Sequence, residues 1–465
     1  MWSYAGPTVA VKLFVDKENQ KVLFAESDKD SVDVLFSFLT MPLGTIVRIL
    51  GKQSGVGCLD ELYKSVESLS IDHFQTEACK TMLLRPHNAA ARQCERLKVR
   101  VDDTNPRAIY LCSNTECLAV TFSSVPDVVC IHKCKPYGCN GRHSRHMELP
   151  ENDNAVVGFA DGGGFVQSGL KFIITDDLQV SPASTSLVFS MLDKFGLNEK
   201  TNTSLLKRAL ISKQPFTGLY FDIPITPDAV NQVELPEMLS PKLENNGSAN
   251  KFSAIKIKLI QTEDSSSVLY AEVGPDFIDL VFGLLSVPLG SIVKAYSQWP
   301  QNGCVDNLYR SIDGSARGCI RDGCRSLLLS PKFACFFGCS INSLQVEESG
   351  PNKTVSHRRC SKCSKDIWGD NKCACTYGQS YSITHHEINP KSTTPRDSYS
   401  REYIKEGPRN FVVTNDLRVL HFSLANTLQV MRASNIPKEK LVEKELTLDR
   451  TQVILDLLLL NQACL

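Results

Sequence analysis

The sequence has no long hydrophobic run. Near its start, the charged side chains Lys12, Asp16, Lys17 and Glu18 interrupt each apolar stretch, so neither the core of a secretory signal peptide nor a membrane span forms there. The apolar stretch Val453–Leu460 is also too short to cross a bilayer. We therefore expect a cytoplasmic or nuclear protein that does not insert into membranes.

An excess of charge of either sign is also absent. The chain of 465 residues contains 51 basic and 51 acidic side chains. A protein that binds nucleic acid by neutralising phosphates usually carries a basic excess, so a nucleic-acid partner is a minor alternative. Two locally basic stretches, Gly141–His146 and Ser356–Lys362, keep open the alternative of a weak RNA or DNA binder.

Familiar catalytic motifs are missing as well. The chain contains no HExxH, no GxSxG, no phosphate loop and no set of kinase motifs. A zinc deaminase needs His-x-Glu followed downstream by Pro-Cys-x-x-Cys, but here His385-His386-Glu387 follows the Cys-x-x-Cys pair. We expect both histidines to be exposed, and we interpret Asp176-Asp177 as part of a tight turn. No small-molecule substrate is evident, and an enzyme is the less favoured class.

Cysteine, in contrast, is plentiful, with 18 residues in the chain. Disulfides persist mainly in oxidising compartments, whereas the lack of a leader favours a reducing one. The cysteines are therefore interpreted as buried thiols together with metal ligands. The cysteines that cluster in the sequence are the candidates for metal ligands.

An internal repeat divides the chain into two related halves. The stretch Lys21–Arg48 aligns with Ser267–Lys294 at a constant offset of 246 residues, and the register continues to Ser65 and Ser311. With one residue removed, Cys79, Pro86 and Cys94 then pair with Cys324, Pro331 and Cys339. The repeat predicts two homologous units, residues 1–222 and 254–465, joined by a polar, proline-containing linker over residues 223–253.

The periodicity of the apolar residues predicts an α+β fold for each unit. "VAVKLFV" and "KVLFAE" alternate as two short strands joined by a polar turn. A helix follows in each copy, with Asp28 as the cap in the first and Gly274-Pro275 as the start in the second. Pro42 and Pro288 are expected to break these helices. Later strand pairs surround Asp176-Asp177 and Asn415-Asp416, and helices are expected over residues 184–195 and 451–461.

Each unit also contains a cysteine-rich module, at about residues 110–147 and about 357–380. In the second, Cys360-x2-Cys363 is followed after nine residues by Cys373-x-Cys375. Two close pairs at this separation allow four sulfurs to converge on one Zn²⁺ at roughly 2.3 Å. In the first module the predicted ligands are Cys112, Cys117, Cys130 and Cys134, and whether Cys130, His132 or Cys139 supplies a ligand is left open.

The predicted role of the metal is structural. Four sulfur ligands leave no open position for a reacting water, and the polar sequence around the clusters is poor material for an apolar core. Nearby basic residues offset the charge of −2 that four thiolates and one Zn²⁺ carry. An iron–sulfur cluster and buried free cysteines are the alternatives, although the spacing favours zinc.

The order of these blocks resembles a known plant family. Repeated "VLFAE...D...L..L..PLG" blocks, followed by a cysteine cluster and a "TDDL.V"-type block, are similar to the family called domain of unknown function 674. The resemblance covers nearly the whole chain. It implies the fold and a plant origin, but it supplies no activity or substrate. From the residues, we predict a zinc-stabilised scaffold for protein interaction or regulation, with a metal-dependent or cysteine enzyme as the alternative.

Overall fold

The structure, a computed structural model, shows a mixed α and β protein whose described residues form three β-sheets, which confirms the expected α+β class. None of the helices in its described residues is long and apolar enough to cross a membrane. The described residues are 7–55, 57–114, 117, 120–130, 139, 141–149, 164–183, 193–225, 254–263, 267–296, 303–339, 344–350, 354–363, 366–367, 373, 375, 379–394, 400–434, 436–437 and 440–448.

Five strands of the first half form an antiparallel sheet. They are β1 (Val9–Asp16), β2 (Lys21–Asp28), β7 (Lys171–Thr175), β8 (Val180–Pro182) and β9 (Asp193–Leu197). Their spatial order is β8-β7-β2-β1-β9. The predicted hairpin joins β1 to β2, and β7 pairs with β8 across the turn at Asp176-Asp177.

A second antiparallel sheet in the other half repeats this plan. Its strands are β10 (Ile255–Thr262), β11 (Val268–Val273), β15 (Phe411–Thr414), β16 (Val419–His421) and β17 (Leu441–Leu448). The order β16-β15-β11-β10-β17 matches that of the first sheet, strand for strand. This common topology is what two copies of one unit require, although the shared origin of the halves stays a prediction.

The expectation of a helix over residues 184–195 is wrong for the last part of that stretch. The residues from Asp193 to Leu197 form β9, which pairs with β1 through partners such as Val9 and Leu197. The free edge of β1 gains backbone hydrogen bonds from this pairing, and such non-local partners override a weak local helical pattern. The earlier part of that expected helix, and the one expected over 451–461, lie outside the described residues.

Twelve α-helices are found in the described residues. They are α1 (Lys29–Thr40), α2 (Leu43–Ile49), α3 (Leu59–Ser68), α4 (Glu77–Leu84), α5 (Ala91–Glu95), α6 (Glu199–Ile211), α7 (Pro215–Tyr220), α8 (Pro275–Gly283), α9 (Leu289–Tyr296), α10 (Cys304–Asp313), α11 (Cys324–Leu329) and α12 (Leu424–Ser434). The predicted start signals are confirmed. The Asp28 carboxylate accepts the Asp30 backbone N–H at 3.1 Å, and Pro275 opens α8 after Gly274.

The proline of each "PLG" motif separates two helices, as the sequence predicts. In the first half, α1 ends at Thr40 and α2 begins at Leu43. Pro42 lacks the N–H that would continue the helix. In the second half, a short 3-10 turn ends at Ser286 before α9 begins at Leu289.

The two "PLG" motifs meet each other at the centre of the molecule. The backbone N–H of Leu43 donates to the Val287 carbonyl, and the N–H of Leu289 donates to the Met41 carbonyl, each at 2.9 Å. The two hydrogen bonds are related by exchange of the halves. Each motif therefore uses the other to satisfy backbone groups that its proline break leaves without an intrahelical partner.

A second pair of reciprocal hydrogen bonds joins a helix of each half to a strand of the other half. The Ser311 hydroxyl in α10 accepts the backbone N–H of Val180 in β8 at 2.9 Å. Its counterpart Ser65 in α3 accepts the N–H of Val419 in β16 at 2.8 Å. Helices of each half thus bind a strand of the other half. Buried apolar residues of both halves, including Leu39 and Leu285, belong to one continuous core.

The shared core joins the two predicted units of the chain. The boundaries 1–222 and 254–465 stay a prediction, and most of the proposed linker, residues 226–253, lies outside the described residues. The reciprocal contacts show, however, that the surface between the halves is itself buried and hydrogen-bonded. The halves are therefore tightly associated in the folded chain.

Replacing Gly290 with valine is expected to lower the free energy of unfolding by about 1–3 kcal/mol, because a side chain there overpacks the interface. A Cβ atom at Gly290 would lie 2.9 Å from the Leu39 carbonyl oxygen and 3.2 Å from that of Leu328. Both are backbone atoms of packed helices, so they cannot turn away. Chemical denaturation measures the effect. Gly318→Val is the control, since a Cβ at Gly318 meets nothing within 4 Å, and equal effects of the two changes would contradict close packing.

A third sheet joins the two halves outside the main core. Its strands are β3 (Ala108–Cys112), β4 (Thr121–Ser123), β5 (Val128–Val129), β6 (Arg142–Glu148), β12 (Thr354–Cys360), β13 (Asp366–Ile367) and β14 (Ser380–Glu387). The order is β13-β12-β14-β4-β3-β6-β5. The halves meet where β14 pairs with β4 in parallel, with His386 opposite Thr121 and Glu387 opposite Phe122. This composite sheet carries both cysteine clusters.

Candidate metal centres

The first cluster lies where the strands of one half enter and leave the composite sheet. Cys112 ends β3, Cys130 follows β5, and Cys139 precedes β6, while Cys117 lies in the connection between β3 and β4. Their four sulfur atoms all lie within 4.8 Å of one another. The sulfurs of Cys112 and Cys139 are 3.7 Å apart, as are those of Cys117 and Cys130. We call this group the first tetrad.

The spacing of the first tetrad suits a tetrahedral metal ion. A metal–sulfur distance of about 2.3 Å places ligand sulfurs roughly 3.8 Å apart around a tetrahedron. Polar groups also approach the sulfurs. The backbone N–H of Gly141 donates to Cys139 Sγ at 3.4 Å, and the Asn114 side-chain amide lies 3.7 Å from the same atom. Donors of this kind stabilise a thiolate ligand.

These donors change the acidity of Cys139. Burial opposes its ionisation, but the hydrogen bond from Gly141 and those from neighbouring thiols outweigh this effect and lower its pKa to about 7. For Cys112, burial dominates and raises the pKa. Cys139 is therefore a stronger acid than Cys112. A bound cation stabilises all four thiolates.

The second tetrad occupies the matching place in the other half. Cys360 ends β12, Cys363 follows in the turn towards β13, and Cys373 and Cys375 precede β14. All four sulfurs again lie within 4.8 Å of one another. The sulfurs of Cys363 and Cys373 are 3.4 Å apart. Cys360 is buried, whereas the other three cysteines are half-buried.

The turn after Cys360 directs backbone N–H groups at its sulfur. Hydrogen bonds from the N–H groups of Cys363 and Lys362 lower the pKa of Cys360 to about 6. Cys375, in contrast, shares hydrogen bonds with the thiols of Cys363 and Cys373, which raise its pKa to about 12. Cys360 is therefore a stronger acid than Cys375, and a bound cation would stabilise the thiolate form of both.

The first tetrad contains three of the four cysteines predicted as ligands of the first module. The structure brings Cys112, Cys117 and Cys130 together and adds Cys139, whose role the sequence left open. Cys134 and His132 lie outside the described residues. A signal for Cys139 is present in the sequence, because Cys139 precedes the basic strand β6 much as Cys375 precedes β14. In the second module, all four predicted cysteines belong to the tetrad.

Both tetrads lie towards the same end of the strands in the composite sheet. Cys360 pairs with Ser380 at the start of β14. Leu111, the neighbour of Cys112, pairs with Phe122 of β4, and Phe122 pairs with Glu387 near the end of β14. Both clusters are therefore reached by moving towards the N-terminal ends of the parallel strands β14 and β4. At about 3.3 Å per residue, they are offset by about 20 Å along β14.

Asp176, a possible catalytic carboxylate, is occupied by structural bonds. Its carboxylate accepts the backbone N–H groups of Phe216 and Thr217 at 2.9 and 3.0 Å and the Thr217 hydroxyl at 2.5 Å. Burial raises its pKa. These contacts hold α7 against the turn between β7 and β8 and confirm the structural interpretation.

The two adjacent histidines differ from each other. His386 is exposed as expected, but the expectation is wrong for His385, which is buried in the composite sheet. The rings of His385 and His357 stack with centroids 5.0 Å apart. Alternate residues of a strand point to opposite faces, which explains why neighbours in the sequence have different exposure.

Replacing Gly141 with alanine is expected to remove metal from the first tetrad only. An added Cβ would lie 2.6 Å from Cys112 Sγ, so the methyl group would displace a ligand sulfur. Elemental analysis of the purified variant should show one metal ion per chain fewer than the parent. Gly196→Ala is the control, because a Cβ at Gly196 meets nothing within 4 Å. An unchanged metal content in Gly141→Ala would contradict this role of the glycine.

The geometry defines the class as a mixed α+β protein, and the part of the chain that the structure describes contains two four-cysteine clusters, each able to hold a metal ion. A family model described as "Protein of unknown function (DUF674)" matches residues 5–451. The chain belongs to this family, as the order of its sequence blocks indicates. No curated protein and no solved structure matches the chain.

Proposed function

We propose that each tetrad binds one structural Zn²⁺ and that the protein is a scaffold for protein interaction or regulation. The convergence of four cysteine sulfurs within 4.8 Å of one another, twice in one chain, carries this proposal. Zinc is the metal that tetrahedral four-sulfur sites with short Cys-x-Cys and Cys-x-x-Cys spacings most commonly hold. The ligands of the first site are Cys112, Cys117, Cys130 and Cys139, and those of the second are Cys360, Cys363, Cys373 and Cys375.

The local environment supports a structural role for the metal. Apart from β3, β4 and part of β12, the modules contribute few residues to an apolar core, and the small cluster of Ile109, Leu111, Phe122 and Val355 is separate from the main core. A metal ion supplies cross-links where apolar burial is scarce. The zinc ions thus fix the turns that connect the strands of the composite sheet.

Exposed apolar side chains beside the tetrads support protein interaction. Val129 immediately precedes Cys130, and Val120 immediately precedes β4, with exposed fractions of 50% and 46%. Tyr381, in β14 near the second tetrad, is 52% exposed. Tyrosine and apolar side chains are favoured in the centres of protein interfaces. A partner protein that covers this end of the composite sheet would bury them.

Cobalt substitution separates the structural role from a catalytic one. Co²⁺ in a closed tetrahedral four-sulfur site has all its positions filled by protein, so added azide should leave its visible absorption spectrum unchanged. A site with an open position would bind azide and change its spectrum. That result would favour the alternative of a metal-dependent enzyme. Strong, salt-dependent retention on a polynucleotide would instead favour the nucleic-acid alternative.

A further inference from the structure

A cavity of about 200 Å³ lies between the helical core and the composite sheet, and no cysteine of either tetrad lines it. Its walls come from α2, the end of α4, the segment before β3, β3 itself and the segment after β4. The residues that define it are Arg48, Thr81, Arg85, Asp103, Tyr110 and Ser124. We call it the Arg48–Arg85 cavity. A second cavity, of about 160 Å³, shares His87 and Asn105 with it.

Two guanidinium groups line the Arg48–Arg85 cavity. Arg48 holds the Asp103 carboxylate through two hydrogen bonds, one of them 2.6 Å long. Arg48 is the main cause of the lowered pKa of Asp103, and nearby Arg85 adds to this effect. Burial raises the pKa of Tyr63 and of Tyr110, and Arg85 offsets part of that rise. The Arg85 guanidinium makes no hydrogen bond or ion pair with any residue that the structure describes. The residues that line the cavity thus include two arginines and one carboxylate, that of Asp103.

Asp103 behaves as an internal anion in this cavity. Its side chain is 53% exposed and belongs to a loop rather than to the core. The hydrogen bonds from Arg48 hold its pKa below the ordinary value, so the carboxylate is charged at neutral pH. The Arg48 side chain is 19% exposed, so solvent reaches this ion pair mainly on the Asp103 side. An oxyanion of higher charge that enters the cavity therefore meets Asp103 at an accessible position and can compete with it for Arg48.

Residues with hydroxyl groups also line the cavity. They are Thr81, Tyr110 and Ser124. Arginine is suited to phosphate because its fork of N–H groups donates two parallel hydrogen bonds. Hydroxyl donors can serve the oxygens that the guanidinium groups leave. Arginines together with hydroxyl-bearing residues line this cavity, whereas a simple surface salt bridge consists of one cation and one anion.

The second half of the chain does not repeat this arrangement. In the repeat alignment, Arg48 corresponds to Lys294, and Arg85 corresponds to Ser330. There the Lys294 ammonium donates to the Ser330 hydroxyl at 2.9 Å, and nearby Lys332 pairs with Glu347 at 2.7 Å. The fold therefore does not require two arginines at this place. A feature present in one half only points to a function that is separate from folding.

We propose that the Arg48–Arg85 cavity binds the phosphate group of a small molecule, with Arg85 as the main anchor and Asp103 as the group displaced from Arg48. The cavity volume is sufficient for a phosphate, and the adjoining cavity leaves room for a small substituent such as that of a phosphate monoester. Neither tetrad takes part in this binding.

Isothermal titration calorimetry with inorganic phosphate and with glycerol 3-phosphate, at constant ionic strength, tests the proposal. Saturable binding of at least one of these probes is expected, and Arg85→Ser, which introduces the residue of the other half, should weaken it by about tenfold or more, because a hydrogen-bonded charge is lost. Arg317→Ser removes the same charge from an exposed position outside the cavity and should leave binding unchanged. Tighter binding of glycerol 3-phosphate would identify a monoester, whereas tighter binding of phosphate would identify the free ion.

The variant Asp103→Asn gives a result that damage to the fold cannot imitate. Removing the competing carboxylate should strengthen phosphate binding, whereas partial unfolding would weaken it. The proposal is overturned if neither probe gives saturable binding to the wild-type protein, if Arg85→Ser and Arg317→Ser bind equally well, or if Asp103→Asn binds more weakly than the wild type.

Discussion

A chain cut once between residues 223 and 253 is expected to remain one folded particle. The reciprocal hydrogen bonds of Leu43 with Val287 and of Leu289 with Met41 join the halves independently of this segment. Apolar side chains of both halves share one core, and exposing each buried leucine would cost about 2 kcal/mol. On native gel filtration the two fragments should therefore elute together, and they should separate only in denaturant.

The halves expressed alone supply the matching test. Residues 1–222 and 254–465, produced separately, should show no cooperative unfolding transition, because each exposes the surface that the other covers. Mixing the two unfolded halves should restore a transition close to that of the cut chain. Two sharp, independent transitions would show that each half has a sufficient core of its own.

Replacing Cys373 with serine is expected to lower the zinc content by one ion per chain and to loosen the segment from about residue 358 to 378. Metal binding and local folding are coupled where the intervening sequence is polar. Hydrogen exchange should therefore speed up in β12 and β14 near the second tetrad. The "PLG" contacts and the first tetrad, which have their own cross-links and core, should keep their protection.

Two further variants serve as comparisons for Cys373→Ser. Cys112→Ser should have the mirror effect, with loss of one zinc ion and faster exchange around β3 and β6. Cys335→Ser, outside both tetrads, should keep the full metal content. If Cys373→Ser retained as much zinc as the parent, Cys373 would not be a ligand.

Local features of the fold follow directly from the sequence. The β1–β2 hairpin, the Asp28 cap and the breaks at Pro42 and Pro288 each depend on residues close together in the chain. Alternation, capping chemistry and the missing N–H of proline are local properties. The repeat added the expectation that the halves share these elements, and the matching strand orders agree with it.

The remaining features depend on contacts between distant residues. The strands β9 and β17 are held by the edges of β1 and β10, and "DKFGL" has no alternation of its own. The pairing of β14 with β4 joins residues more than 250 positions apart, and no local pattern specifies such a partner. The choice of Cys139 likewise depends on where β6 lies. Sequence spacing identifies candidate ligands, but the third dimension selects among them.

The zinc content of the wild-type protein is the most direct test of the account. The protein should be purified without chelators and analysed by inductively coupled plasma mass spectrometry together with an independent protein concentration. We expect two zinc ions per chain, one in each tetrad, and one ion in either Cys112→Ser or Cys373→Ser. A wild-type protein that is folded and contains no zinc would contradict the central claim.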